Sequence, residues 1–73
     1  MIPTPKEKAI SICDAFSKAL GLISITNECK NCALVVVYEN IEYLSNMEKD
    51  FHEGYFSHDI KYWKDVKTEI LSL

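Results

Sequence analysis

The chain has no arginine: all eight basic residues among its 73 are lysine, set against eleven acidic residues for a formal charge of −3. Without guanidinium groups there are no bidentate clamps for phosphate or guanine edges, and the acidic excess opposes attraction to a polyanion. A groove-binding partner of duplex nucleic acid is not expected. Glycine is nearly as scarce, and Gly21 and Gly54 alone cannot form a glycine-rich phosphate loop. The uncharged stretch at 19–27 falls far short of the ~20 apolar residues of a membrane span. The opening Met1-Ile2-Pro3-Thr4-Pro5-Lys6 lacks the apolar region of a secretory leader, so the expected location is cytoplasmic, with no membrane partner. In a reducing compartment Cys13, Cys29 and Cys32 stay thiols, and no structural disulfide is expected.

What remains is enough for one small core. Hydrophobic residues make up 48% and charged residues 26%, a globular balance, and the length suits a single domain over 1–73. The expected fold is all-α, a three-helix unit with helices at about 5–25, 32–53 and 58–72. Thr4-Pro5-Lys6-Glu7 combines an N-cap threonine, a proline in the first turn and a reciprocal glutamate. From there Ala9, Ile12, Cys13, Phe16, Ala19, Leu20 and Ile23 share one arc. Thr26-Asn27-Glu28 and Asn31 have the composition of a loop. The second helix carries Leu34, Val37, Ile41, Leu44 and Phe51 in a stripe that Val36, Tyr43 and Met47 widen to about half its circumference, more than the ~100° one neighbour covers. Its opposite face, with Glu39, Glu42, Asn46, Lys49 and Asp50, is solvated. Gly54 breaks the run, Ser57 can cap the third helix with Asp59 near its positive end, and Phe56, Ile60, Trp63, Val66, Ile70 and Leu73 line one side. A hairpin across 27–31 is the alternative, because residues 22–26 alternate and residues 34–38 are rich in β-branched types.

A small core without metal or disulfide, and an arc too wide for one partner, point to homo-oligomerisation. Asn40 and Glu48 fall inside that arc, and a polar group there needs a partner or a place at the rim of an oligomer contact.

Chemistry is sparse. Cys29-Lys30-Asn31-Cys32 has a redox spacing but no βαβ unit around it. A zinc site from Cys29, Cys32, His52 and His58 fails because the intervening helix of ~30 Å holds its ligands apart. Cys13 reads as a small core residue. His52-Glu53 and His58-Asp59 come together if the helices pair, and could hold a metal or move a proton; they are equally the solvated ends of two helices around a turn. No hydroxyl or thiol can be tied to a base, so no enzyme, cofactor or metal is expected.

Three segments together carry a family resemblance: Thr4-Pro5-Lys6-Glu7-Lys8-Ala9, then residues 32–37 with Glu39 and Ile41, then Tyr62-Trp63-Lys64-Asp65-Val66-Lys67-Thr68-Glu69-Ile70 with Leu73. The chain resembles short, functionally uncharacterised proteins encoded by phages and prophages of Bacteroidetes, with Tyr38 standing where an acidic residue precedes Glu39. The resemblance implies a viral accessory context and supplies no catalytic residues. For such a chain the expected function is non-enzymatic: capture of an anionic nucleotide signal at a protomer interface, as a host-defence antagonist. Lys64 and Lys67 would supply charge, and Tyr62 with Trp63 a stacking surface, although Trp63 also suits the core. The alternative is a protein-interaction module that inhibits a host protein directly, with a redox or metal protein built on Cys29 and Cys32 as a third reading.

Overall fold

Helix α1 (Pro5–Ala19) begins at the capping box that the sequence announces. In the computed structural model of the chain, which describes residues 2–51 and 54–73, the Thr4 hydroxyl accepts the Glu7 N–H at 3.2 Å and the Glu7 carboxylate accepts the Thr4 N–H at 3.0 Å. Two donors that the first helical turn would leave unpaired are thereby satisfied. The exchange holds the Glu7 carboxyl below its ordinary pKa, first through the Thr4 backbone bond and then through the Thr4 side chain.

The helix stops at Ala19, short of the expected residue 25. Gly21 takes a φ of 73°, a left-handed conformation that costs a glycine little, and lets the Leu22 N–H reach the Ser17 carbonyl at 2.8 Å and the Gly21 N–H reach that of Lys18 at 3.1 Å. The buried Ser17 hydroxyl then donates to the Leu22 and Ser24 carbonyls, folding the loop back over the helix end. Leu20 and Ile23, placed by their spacing on the buried arc, therefore stand in solvent, Ile23 completely.

Helix α2 (Asn27–Asp50) starts five residues earlier than 32, because the Thr26 hydroxyl accepts the Cys29 N–H at 3.4 Å and Glu28 lies in the positive first turn. Residues that look like a loop by composition are a helix start. The predicted end at 53 falls on residues outside those described. Helix α3 (Ser57–Ser72) has Phe56 at its N-cap position, so Ser57 is the first helical residue and not the cap. Glu48 of α2 replaces the missing cap: its carboxylate accepts the Phe56 N–H at 2.8 Å. Asp59 sits in the first turn as expected. Among the described residues there is no strand, which removes the hairpin alternative.

Side-chain size sets the packing. Ala9, Cys13 and Ser17 recur every four residues on α1, and Cys29, Ala33 and Val37 do the same on α2; all six are buried. Joined by the short loop, the two helices run antiparallel, and these buried rows meet in one core. Helix α3 fills the third side with Val66 and Ile70, while Trp63, Tyr62, Phe16, Leu34 and Ile41 pack around that centre. The three helices form an all-α bundle of 43 × 21 × 20 Å.

The helices are unequal. At 1.5 Å per residue α1 is about 22 Å long and α2 about 36 Å. Tyr62 donates its hydroxyl to the Pro3 carbonyl at 2.8 Å and the Lys8 ammonium stands 6.0 Å from the Trp63 ring, so α1 begins level with the second turn of α3. Beyond that level α2 and α3 continue as a two-helix arm. Its tip is aromatic, with Phe51 stacked on Tyr55 at 5.1 Å and Phe56 set edge-on to both, at 6.0 and 4.7 Å.

Candidate functional site

In the arm, between α2 and α3, lies an open cavity of about 500 Å³ lined by Ser45, Glu48, Gly54, Ser57, Ile60, Lys61 and Lys64. Local chain geometry builds it. Gly54, at φ 85°, turns the chain after α2, and the Ser57 N–H returns to the Gly54 carbonyl at 3.1 Å. Ser57, Lys61 and Lys64 then recur at i, i+4 and i+7 along one face of α3, while Ser45 and Glu48 come from α2 one turn apart.

Most of the cavity wall is apolar surface, with two serines and two lysines among its lining residues and one committed carboxylate. Glu48 is half-buried and already accepts the Phe56 N–H, which ties the start of α3 to α2. That bond answers the requirement for a partner inside one chain. Lys61 pairs with Asp65 at 3.0 Å, an exposed i, i+4 bridge worth well under ~1 kcal/mol and easily exchanged for another anion. Among the described residues no carboxylate forms an ion pair with Lys64. The first turn of α3 has no side-chain cap, and its N–H groups add positive potential at the same end.

The four residues singled out by sequence do not converge within one chain. Lys64 lines the cavity. Lys67 lies 5.7 Å from the Tyr38 ring, held against α2. Tyr62 and Trp63 are on the α1 side, ring to ring at 5.7 Å in an edge-on arrangement, with Pro3 and Lys8 as their partners. Trp63 packs against the core, as its place on the helical wheel indicates. The cavity-lining Ser45, Ser57 and Lys61 were missed as site residues, although the i, i+4, i+7 row of Ser57, Lys61 and Lys64 is readable in the sequence.

The cysteines are all free thiols. Cys29 and Cys32 lie within the first two turns of α2, but Cys29 is fully buried and only Cys32 is partly exposed. Burial, and then the neighbouring Cys29, push the Cys13 thiol above its ordinary pKa, with Lys30 opposing. Exchange chemistry needs an accessible thiolate, and the buried cysteine of the Cys29/Cys32 pair has no open approach. Among the described residues no three histidine, cysteine or acidic side chains gather closely enough to hold a metal ion. His52 and Glu53 lie outside the described residues, while His58 and Asp59 are exposed at the start of α3. No described helix is long and apolar enough to cross a membrane.

Comparison of the chain with protein-family models, with curated proteins and with solved structures finds no match in any of the three.

Proposed function

We propose that this chain is a non-enzymatic accessory protein that captures an anionic nucleotide-like ligand in the Lys61–Lys64 cavity. The observation that carries the reading is the cavity itself. About 500 Å³ is within the usual range for small-ligand sites, and two ammonium groups and two hydroxyls border it. Lys64 would meet a phosphate directly, Lys61 would exchange Asp65 for it, and the Ser45 and Ser57 hydroxyls would bond its oxygens. Ligand capture would then need no residue from a second protomer, and Tyr62 and Trp63 would not stack on the base. The likeness of the three segments to phage and prophage proteins of Bacteroidetes supports placing this capture in the cytoplasm of an infected cell, as removal of a defence signal.

The test is calorimetric titration of linear and cyclic nucleotides into wild type and a Lys61→Ala, Lys64→Ala variant whose helicity is checked by circular dichroism. Micromolar binding that weakens about tenfold or more in the variant and falls with added salt is the expected result. Absence of micromolar binding, or equal binding by the variant, overturns the reading. A second reading, a protein-interaction module that inhibits a host protein, draws support from Val35 and Tyr38 on α2 and Leu71 on α3, which stand exposed. Capture of a host protein by a preparation that binds no nucleotide would put it first.

A further inference from the structure

The Lys61–Lys64 cavity has unlike ends. Glu48 stands beside the start of α3, because its Oε1 accepts the Phe56 N–H at 2.8 Å. At 1.5 Å per residue Lys64 lies about 12 Å further along α3, with Lys61 and the apolar Ile60 between them. Since α2 and α3 run antiparallel across a short turn, Ser45, one turn before Glu48, falls toward the lysines. A carboxylate marks one end and ammonium groups the other.

That carboxylate is only half used. Among the described residues the Phe56 N–H is the one partner of the Glu48 side chain. No buried side-chain oxygen among the described residues lacks a partner, so the second Glu48 oxygen is open to solvent, on a residue that lines the cavity. An ionised carboxylate accepts hydrogen bonds and donates none. A phosphate at that end would meet a like charge, whereas a donor would meet an acceptor in need of one, and this fixes which way round a nucleotide enters.

We infer, on the reading of this cavity as a nucleotide site, that Glu48 determines its specificity and that the ligand is a guanine nucleotide, phosphate at Lys61 and Lys64, base edge at Glu48. Guanine carries two adjacent donors on one edge, N1–H and the 2-amino group, and a carboxylate accepts such a pair; Oε1 keeps a second lone pair while bonded to Phe56. Adenine and cytosine set a donor beside an acceptor, and uracil sets its one donor between two acceptors. Each would turn an acceptor toward the carboxylate. Ser57, one residue beyond Phe56, then bonds the base and not the phosphate.

The experiment is calorimetric titration of guanosine, inosine and adenosine monophosphates into wild type, Glu48→Gln and the Lys61→Ala, Lys64→Ala variant, with helicity checked by circular dichroism. Wild type is expected to bind the guanosine compound about tenfold or more tighter than inosine monophosphate, which lacks the 2-amino group, and than adenosine monophosphate. Glu48→Gln is expected to weaken guanosine monophosphate about tenfold while leaving adenosine monophosphate unchanged or tighter, because a negative charge is gone. If Glu48 acts by charge alone, Glu48→Gln strengthens all three alike, and that result overturns the inference. So does a wild type that binds the three equally through its lysines, which leaves the nucleotide reading standing; the comparison of guanosine with inosine needs no variant to fold. A wild type that binds none of them marks the failure of the cavity reading itself, and the inference falls with it.

Discussion

The two halves of α2 differ in apolar content, eight residues of twelve over 27–38 against four of twelve over 39–50, and in their surroundings. Around Cys29, Ala33 and Val37 the helix is closed in by α1 and α3, and those three side chains are fully buried. Around Tyr43, Leu44 and Met47 it has α3 alone, and Tyr43 stands mostly in solvent. The difference follows where α1 begins, at the Thr4 capping box, and the thinner apolar content of the second half of α2 matches it.

That comparison is open to direct attack. The largest effect is expected from Ile70→Ala, which empties a fully buried position in the three-helix half and should cost ~2–4 kcal/mol in urea denaturation. Met47→Ala, in the arm, should cost less than ~1.5 kcal/mol, because the side chain is only partly buried and the site can relax. Equal losses at the two positions would remove the distinction between the halves. Ala33→Leu should come next at ~1–3 kcal/mol, since a larger side chain at this fully buried position must displace the core around it. Ser17→Ala should follow at about 1 kcal/mol, from the bonds its hydroxyl makes to the Leu22 and Ser24 carbonyls.

Smaller effects follow from titration. The Glu7 carboxyl is held below its ordinary pKa, so the capping box contributes stability above the unfolded carboxylate range and loses it as pH falls through the lower folded value. Thr4→Ala should flatten the acid limb of a stability-against-pH curve, and an unchanged limb would show that the box is idle. Cys13 has the opposite sign. Its thiol pKa is raised, so its contribution is present at neutral pH and fades as pH climbs through the ordinary thiol range toward the folded value. In the native state a thiol reagent should label Cys32 quickly, and Cys13 and Cys29 only as fast as the chain opens.

Much of the fold is written locally. The capping box, the helical periods and the breaks at Gly21 and Gly54 are each decided within a few residues, and the elements follow them. The two misplaced ends have separate causes. Leu22, Ile23 and Ile25 continue an apolar period that the left-handed Gly21 has already terminated, and Thr26-Asn27-Glu28 has the same residue types in a loop as at a helix start. The role of Glu48 could not be read from its position on a wheel, because its partner is a backbone N–H eight residues away, across a turn whose path no period encodes. The candidate site was half legible for the same reason. Lys64 was found by its charge on the flank of α3, whereas Ser45 joins it only through the pairing of α2 with α3.

The central claim is that α1 protects one part of α2 and leaves the other with α3 alone. Residue-resolved amide hydrogen exchange addresses it in a single data set. Strong protection at 29–41 together with weak protection at 43–50 is the result the account predicts. Uniform protection along α2 would contradict it.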